Sequence, residues 1–231
     1  GLLGFASLLH QMSDGLFDVT SGILRNVWNF KAGKIPSQEQ INAVLPLIGW
    51  SKVSWDGERI SLPLSGMEID FGGFGKEYAA DRAATIIQEA GIHHGFVNLG
   101  GDLRVIGPRG TGQGWRFGIQ HPRDAGQIMV SVELAAGGLA TSGDYERYFE
   151  TNGRRYCHIL DVRTGWPVSY WASVSVVAPA CLAAGALSTI AMLKQNGARV
   201  FLEEQAASAL LISPALALQY VGSEKPFPFM L

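Results

Sequence analysis

The chain has 231 residues, enough to bury a sizeable hydrophobic core in one large domain or two small ones. Charged residues make up 16% of the chain and glycines number 29, a composition typical of a turn-rich globular protein rather than of a disordered one. The formal net charge is −2, and no run of Lys or Arg creates a local cationic surface. General binding to nucleic acid is therefore disfavoured.

Several segments have helical signals. Ser37 and Gln40 stand three residues apart, the capping-box pattern of a helix start. Gly91 supplies a helix stop, and Asp14-Gly15 closes an apolar helix at the beginning of the chain. The predicted helices cover residues 2–11, 37–47, 75–90, 180–194 and 198–205.

Short strands and tight turns account for most of the remaining chain. Asp56-Gly57 and Asn152-Gly153 are dipeptides that tolerate the positive φ angles of a hairpin turn. The predicted strands are 50–55, 59–62, 67–71, 96–99, 103–106, 115–119, 128–134, 145–150, 155–160, 174–177 and two short strands near residues 210 and 218. Consecutive hairpins with inserted helices predict an α+β fold of antiparallel sheets, not a doubly wound parallel sheet. No internal repeat or linker divides the chain, so one domain over residues 1–231 is predicted.

Two further features have structural interpretations. The uncharged stretch 170–193 is long enough to span a bilayer, but Pro179 and Gly185 interrupt it, and a strand followed by a core helix fits better. Cys157 and Cys181 are too few for a disulfide framework and lack zinc-site spacing. Both are predicted to be buried as small apolar side chains.

A glycine-rich junction between Asp70 and Lys76 joins a predicted strand to a predicted helix. Gly72-Gly73 would let a ligand approach the backbone, and the helix start offers free N–H groups and the charge of Lys76 to an anion. A phosphate site is one interpretation, and a tight turn beside an ordinary surface Lys is the other. The junction matches neither a Walker A motif nor a dinucleotide fingerprint.

Two more polar turns follow predicted strands. Residues 98–102 read Asn-Leu-Gly-Gly-Asp, which taken alone is typical of an ordinary turn. Residues 141–144 read Thr-Ser-Gly-Asp and carry hydroxyl and amide groups suited to a phosphate or a ribose. Neither motif is specific by itself.

The segment 158–165 contains the one histidine in a setting that suggests chemistry. On a strand, His158 and Leu160 would share one face while Ile159 and Asp161 share the other. His158 titrates near neutral pH and could take a proton from a hydroxyl nucleophile, with Asp161 or Arg163 orienting its neighbours. A structural histidine beside a charged turn is the alternative. The remaining candidates His93, His94 and His121 are interpreted as surface or loop residues.

Taken in this order, the four motifs resemble the ApbE family, the FAD:protein FMN transferases. The family pattern Asp-Leu-Ser/Gly-x-x-x-Lys-Gly-Tyr-x-x-Asp is matched by residues 70–81, Asn-x-Gly-Gly-Asp by 98–102, and Thr-Ser-Gly-Asp by 141–144. His-x-x-Asp-Pro-x-Thr-Gly is matched by 158–165, with Val162 replacing Pro. Upstream, residues 14–18 and 28–30 look like the family's Gly-Ala-Phe-Asp and Trp-Gly-Phe segments, so the likeness covers about 8–211.

The resemblance implies a T-fold type of α+β architecture and a reaction that moves FMN from FAD to a Thr or Ser of a target flavoprotein, releasing AMP. The target could be a subunit of a membrane redox complex. His158 would act as the base, with Asp161 beside it. The residues implied in FAD binding are Leu16, Phe17, Asp18, Asp70, Lys76, Asn98, Thr141, Ser142 and Ile159. These scattered turns are expected to converge around the diphosphate of one flavin nucleotide.

The resemblance also implies Mg²⁺ at the pyrophosphate, held by the Gly73 carbonyl with Ser188 and Thr189. Here the chain departs from the family's Ala-Asp-Ala-Leu-Ser-Thr, because Gly185 replaces the Asp that stands four residues before the Thr. Mg²⁺ prefers anionic oxygen, so weaker Mg²⁺ dependence or reduced transfer is expected. Replacing Gly185 with Asp is accordingly expected to raise Mg²⁺-dependent turnover.

Two alternatives stay open on the same residues. The chain could bind and deliver FAD, or assist assembly of a redox protein, with weak or no transferase activity. It could also be an FAD pyrophosphatase in which water replaces the acceptor hydroxyl. The resemblance further implies the periplasmic side of a bacterial cell envelope, with an anchor in a segment not in this chain. The apolar start lacks the basic region of a signal peptide, and a strand and helix of the family, one wall of the flavin pocket, are expected to precede it.

Overall fold

A computed structural model describes residues 1–222 and the backbone of residues 229–230. The α-helices are α1 (Leu2–Met12), α2 (Gln38–Val44), α3 (Gly75–Glu89), α4 (Cys181–Lys194) and α5 (Ala198–Glu204). Short 3₁₀ helices cover Val19–Asn26, Leu45–Leu47, Trp50–Lys52 and Gln195–Gly197.

The strands are β1 (Ser54–Trp55), β2 (Ile60–Ser61), β3 (Gly95–Leu99), β4 (Asp102–Gly107), β5 (Trp115–His121), β6 (Asp124–Leu134), β7 (Gly137–Gly143), β8 (Tyr148–Thr151), β9 (Arg154–Cys157), β10 (Leu160–Asp161), β11 (Trp166–Pro167), β12 (Ser173–Ala178), β13 (Ser208–Ile212), β14 (Leu218–Val221) and β15 (Phe229–Met230). The chain divides into two compact units. Unit 1 contains Gly1–Phe71 and Glu146–Ser169, and unit 2 contains Gly72–Tyr145 and Tyr170–Leu231. The single domain expected from the sequence stays a prediction.

Unit 2 is built on a six-stranded sheet in the order β14-β13-β12-β7-β4-β3. Every neighbouring pair in this sheet is antiparallel, which confirms the α+β class expected from the hairpin pattern. A second, three-stranded sheet has the order β15-β6-β5. Apolar side chains from both sheets form one core that includes Val105, Val132, Leu210 and Ile212, all buried.

Helices α3 and α4 pack against each other and against the six-stranded sheet. The chain from β12 into α4 confirms the expected strand followed by a core helix, and Cys181 is buried at the start of α4. Ala184, Ala186 and Ile190 are also fully or almost fully buried, because α4 faces protein on most of its circumference. Among the described residues, no helix has the length and apolar character needed to cross a membrane.

A residue of α3 caps the start of α4. The residue at its N-cap, Ala180, has no side chain able to accept a hydrogen bond. The Asp81 carboxylate provides the cap instead. It accepts hydrogen bonds from the backbone N–H of Cys181 at 3.0 Å and of Leu182 at 2.9 Å. A Cβ on Gly138 of β7 would lie 2.4 Å from the Cys181 nitrogen, so only glycine permits this close approach of strand and helix. These contacts fix α4 relative to α3 and β7.

Unit 1 has a small aromatic core around Trp28, which is 2% exposed. The Trp28 indole N–H donates to the Gly165 carbonyl at 2.7 Å, so the ring has the polar partner that a buried indole needs. The rings of Phe30, Phe149, Tyr156 and Trp166 surround it. The predicted capping box of α2 is present in full, with Ser37 and Gln40 each bonded to the other's backbone. The turn at residues 152–153 has the predicted positive φ angles, and Asp14 and Gly15, which close α1 as predicted, also have positive φ.

Three local predictions for unit 1 differ from the structure. The hairpin around Asp56-Gly57 has strands of only two residues, and Trp50–Lys52 forms a 3₁₀ turn. The strand predicted over 67–71 is wrong. That segment forms no ladder, and Asp70 N donates to the Val19 carbonyl at 2.8 Å in a loop contact. His158 lies in a bend between β9 and β10, so strand alternation does not set its direction.

Candidate functional site

Three hydroxyl groups of unit 2 meet where β7 packs on α4. Ser142 Oγ lies 2.9 Å from both Ser188 Oγ and Thr189 Oγ1, and Ser188 Oγ donates to the Gly185 carbonyl at 3.0 Å. Gly185, Ser188 and Thr189 share one face of α4 because they are three and four residues apart. One residue predicted to bind the cofactor, Ser142, is thus joined to both side chains predicted to bind Mg²⁺.

Thr141 does not belong to this hydroxyl cluster of Ser142, Ser188 and Thr189. Its Oγ1 lies 2.7 Å from Ser175 Oγ, its register partner on β12. Successive residues of a strand point to opposite faces of a sheet. Ser142 faces α4, so Thr141 faces the other side of β7.

A carboxylate that the sequence reasoning missed fills the volume above Gly185. A Cβ on Gly185 would lie 2.5 Å from Cγ, 2.7 Å from Oε1 and 2.8 Å from Cδ of Glu77 on α3. Glu77 is only 6% exposed, and its Oε2 is buried without a hydrogen-bond partner among the described residues. The signal was available in the family pattern Lys-Gly-Tyr, because this chain has Glu77 where the pattern has Gly.

This arrangement changes the expectation for Gly185. The sequence predicted that the carboxylate near Ser188 and Thr189 is lost. The structure instead brings one to the same helix face from α3, and it leaves no volume for an Asp at 185 while Glu77 stays in place. The expected gain in turnover from Gly185→Asp alone therefore conflicts with the packing.

The surroundings of Glu77 are electrostatically negative. Burial, followed by the charge of Asp102 and more weakly that of Asp81, raises the pKa of Glu77 to about 7, while Lys76 acts in the opposite direction. Burial and the carboxylates of Asp102, Asp81 and Glu77 likewise raise the pKa of the Cys181 thiol. Nearby carboxylates disfavour a further negative charge on Glu77, and the same negative charges favour the binding of a cation.

Lys76 and the glycine turn after β3 come together, as the family motifs imply. Lys76 Nζ donates to Asp102 Oδ2 at 2.6 Å, and Asp102 is 4% exposed. Asn98 Oδ1 accepts from Gly101 N at 2.9 Å, so this side chain closes the turn between β3 and β4. A Cβ on Gly100 would lie 3.8 Å from Lys76 Nζ. The side chains predicted to contact FAD from these two motifs are thus held by protein groups within unit 2.

Two other motif residues of unit 2 have defined positions. Gly73 lies in the turn directly before α3. Asp144 receives two hydrogen bonds from Arg123, at 2.6 and 2.8 Å, a bidentate pair that anchors the end of the Thr-Ser-Gly-Asp motif. Arg123 was not predicted, because nothing near it in the sequence indicates its partner.

Asp18 in unit 1 is a buried anchor. Its Oδ1 accepts from Thr20 N at 2.8 Å and from Thr20 Oγ1 at 2.6 Å, and its Oδ2 accepts from Trp50 N at 2.7 Å. His10 Nε2 lies 3.6 Å from Oδ2. Leu16 and Phe17, the other flavin-binding residues predicted here, are each 6% exposed. Their roles toward FAD stay predictions.

Asp70 is paired with Arg25, which also donates to Glu68 at 3.0 Å. The pair ties the glycine junction to the 3₁₀ helix Val19–Asn26 within unit 1. A Cβ on Gly22 would lie 2.6 Å from Asp70 Cβ, so the two segments touch through a glycine.

Asp161 organises the turn that follows His158. Its Oδ1 accepts from Arg163 N at 2.9 Å and Nε at 3.0 Å, and its Oδ2 accepts from Arg163 Nη2 at 2.7 Å. Burial alone would raise the pKa of Asp161, but the hydrogen bonds and charge of Arg163 hold it below its ordinary value. His158 is half-buried, its backbone N donates to the Arg147 carbonyl at 3.0 Å, and Ile159 beside it is buried. The structure shows a positioning role for Asp161, and its catalytic role stays a prediction.

The predicted convergence on one flavin includes residues of both units and stays a prediction. Within the described residues, no group of three or more His, Cys, Asp or Glu side chains is placed to hold a metal ion. Cys157 is buried, as expected, and His93 and His94 are exposed.

The fold is shared with ApbE proteins of known structure. The crystal structure of the ApbE protein from Thermotoga maritima matches with a TM-score of 0.89 and 34% sequence identity, over 98% of this chain and 76% of that one. The flavin transferase ApbE from Vibrio cholerae matches with a TM-score of 0.86 and 28% identity, over 98% and 75%.

The sequence comparisons agree with the structural ones. The model of the ApbE family matches residues 1–211, and the chain belongs to that family. A protein of Escherichia coli strain K12 named FAD:protein FMN transferase is 35% identical over 187 residues, which are 77% of this chain and 53% of that protein. One of the same name from Vibrio cholerae is 30% identical over 230 residues, 96% of this chain and 69% of its own length. The chain thus spans about half the length of the E. coli relative.

Proposed function

We propose that this chain is an FAD:protein FMN transferase, moving FMN from FAD to a Thr or Ser of a target flavoprotein with release of AMP. The observation that carries the proposal is the family match over residues 1–211, which includes every motif discussed above. Relatives of 30% identity or more with that name support it. Hydrogen bonds to other protein groups also hold several motif side chains in place, among them Asp18, Lys76 and Asp161, as a site for a bound substrate requires.

In the proposed reaction, the acceptor hydroxyl oxygen attacks the phosphorus on the FMN side of the diphosphate. A new P–O bond forms to the target side chain, and the P–O bond to AMP breaks, with the bridging oxygen leaving on AMP. His158 accepts the proton of the acceptor hydroxyl, a role suited to a group that titrates near neutral pH. The Asp161–Arg163 pair holds the neighbouring turn, so the imidazole starts from a defined backbone position.

FAD is held, in this proposal, by the residues that match the family motifs. These residues are Leu16, Phe17, Asp18, Asp70, Lys76, Asn98, Thr141, Ser142 and Ile159. Lys76 supplies positive charge toward the diphosphate, since the Asp102 carboxylate fixes its ammonium at one end of the glycine turn.

Mg²⁺ would be held by the Gly73 carbonyl, Ser188 and Thr189. The residues present fit such an ion, because two hydroxyls lie on one helix face beside a buried carboxylate with an unpartnered oxygen. When bound, the ion would neutralise charge that develops on the diphosphate during transfer.

The acceptor is proposed to be a flavoprotein subunit of a membrane redox complex, on the periplasmic side of a bacterial cell envelope. This part of the proposal rests on the family resemblance. An anchor outside the present sequence would place the enzyme near such a target.

The test incubates the chain with FAD, Mg²⁺ and a target flavoprotein domain, then measures AMP release and the mass of the target. A mass gain equal to FMN with one AMP per target supports the transferase. AMP without a modified target identifies an FAD pyrophosphatase, and bound FAD with neither product identifies a flavin-delivery or assembly protein. The variant His158→Gln is the matched control, because it keeps the size and polarity of the side chain and removes the base.

A further inference from the structure

A buried carboxylate with one unpartnered oxygen lies against the face of α4 that carries two hydroxyls of the cluster. Glu77 is 6% exposed, and its Oε2 is buried with no hydrogen-bond partner among the described residues. An unpaired charge in such a place is costly, so a buried carboxylate normally has a hydrogen-bond donor or a cation beside it. The position of Glu77 therefore calls for a ligand.

We propose that Glu77 supplies, from α3, the carboxylate of a divalent-cation site whose other side-chain oxygens are those of Ser188 and Thr189 on α4. The inference deepens the proposed function, on which it rests, by assigning the anionic ligand that Gly185 appeared to remove. It also accounts for two departures from the family pattern together, Glu77 in place of Gly and Gly185 in place of Asp.

The side chain of Glu77 occupies the volume that a side chain at position 185 would need. Glu77 Cγ, Cδ and Oε1 lie 2.5–2.8 Å from the point where a Cβ on Gly185 would stand. A side chain at 185 and the present conformation of Glu77 exclude each other, because real Cβ atoms essentially never lie within 3.0 Å of such neighbours. Gly185 is thus what admits the carboxylate of Glu77 to this face of α4.

The neighbouring oxygens carry the second step. Gly185, Ser188 and Thr189 share one face of α4, so a carboxylate above Gly185 lies on the helix face that carries both hydroxyls. Ser142 Oγ is 2.9 Å from each of them and fixes their rotamers. A hydroxyl oxygen has two lone pairs, so each can remain hydrogen-bonded while it offers an oxygen to a hard cation.

The local charge carries the third step. Asp102 and Asp81 are the other carboxylates that interact electrostatically with Glu77, and Lys76 is the cation that does so. Asp102 is paired with Lys76. Asp81 caps α4, and its Oδ1 also lies 3.4 Å from Arg104 Nε, so both carboxylates already have partners. Glu77 is the carboxylate of this group that retains an oxygen for a cation.

The experiment measures Mn²⁺ binding to the full chain at pH 8 by electron paramagnetic resonance, with and without FAD, and repeats it with Mg²⁺ as competitor. Glu77→Gln should weaken Mn²⁺ binding by about tenfold or more, since it removes the anionic ligand and keeps the shape. The exposed Glu89→Gln on the same helix is the matched control and should bind Mn²⁺ within about twofold of the unmodified chain. The double variant Glu77→Gly with Gly185→Asp returns the carboxylate to α4 and should recover binding that Glu77→Gly alone loses.

Unchanged Mn²⁺ affinity in Glu77→Gln would overturn the inference, as would a chain that binds no divalent cation with or without FAD. Circular dichroism checks that each variant is folded, and Glu77→Gln decides the matter even if the double variant does not fold. Cation binding is measured without any FMN transfer. If the chain binds Mn²⁺ through Glu77 but transfers no FMN, only the proposed function is contradicted. If it transfers FMN but Mn²⁺ binding does not depend on Glu77, only this inference is contradicted.

Discussion

Glu77 Oε1 on α3 lies 2.7 Å from where a Cβ of Gly185 on α4 would stand, so a glycine on one helix makes room for a carboxylate from another. The two residues depend on each other sterically. Each is also a departure from the pattern of the ApbE family, and the packing of α3 against α4 joins the two departures into one local arrangement.

Stability should depend on pH through Glu77. Its pKa is raised from 4.5 to about 7 in the folded chain, so the unfolded chain releases this proton first as pH rises. The Glu77 contribution to the free energy of unfolding therefore falls between pH 4.5 and pH 7 and stays low above that. Glu77→Gln should abolish this fall and be more stable than the unmodified chain at pH 8, by up to about 3 kcal/mol.

Urea denaturation from pH 4.5 to 8 in EDTA measures this difference, with Glu89→Gln as the control of equal charge change. Parallel stability curves for the unmodified chain and Glu77→Gln would contradict the burial of an unpaired carboxylate at this position. Added Mg²⁺ should reduce the advantage of Glu77→Gln at pH 8, because a cation stabilises the ionised carboxylate.

Gly185→Asp alone should destabilise the chain. The new Cβ would stand 2.5 Å from Glu77 Cγ, and two carboxylates would share one buried volume. Overpacking of this kind costs about 1–3 kcal/mol, and like-charge repulsion adds to it. The urea midpoint should fall, and combining the substitution with Glu77→Gly should restore most of the loss. A midpoint equal to that of the unmodified chain would show that Glu77 moves aside freely.

Asp81→Ala should loosen the start of α4. The substitution removes the only side chain that accepts from the N–H groups of Cys181 and Leu182 in the described structure, at an expected cost of about 1–2 kcal/mol. Amide hydrogen exchange should accelerate first at these two residues. Arg82→Ala, exposed and next in the chain, is the matched control. Unchanged exchange at Cys181 would contradict the capping role.

Asp161 should stabilise the turn after His158 through Arg163, with a defined pH dependence. Because the folded pKa of Asp161 lies below its ordinary value of 3.8, the stabilisation is present above that pH and is lost as pH falls through the folded pKa. Asp161→Asn should cost about 1 kcal/mol at pH 7 and little at acid pH.

Variants of Asp161 and Arg163 can distinguish a positioning role of Asp161 from a direct catalytic role. If Asp161 acts only by holding the turn, Arg163→Ala should reproduce the effect of Asp161→Asn on FMN transfer and on stability together. A loss of transfer in Asp161→Asn that Arg163→Ala does not share would give Asp161 a direct catalytic role.

The locally encoded elements were predictable. The ends of α3 and α4 agree with the predicted helices within a residue, because Gly91 and the β-branched strand before α4 punctuate the chain locally. The strand predicted over 67–71 was wrong because the pattern of a strand contains no information about whether a neighbouring strand is available. Asp70 pairs with Arg25 there instead, and only the folded chain brings the two together.

The α+β class and membership of the ApbE family could be predicted from the sequence alone, since both depend on patterns read along the chain. Three relations could be seen only in the folded chain: Asp81 caps α4, Ser142 joins Ser188 and Thr189, and Glu77 occupies the space above Gly185. These relations depend on how closely α3, α4 and β7 pack, and that distance is set by contacts between residues far apart in the chain. Local propensity contains no information about such contacts. The sequence motif therefore showed the loss of an Asp at position 185, but not that the carboxylate of Glu77 lies against the same helix face.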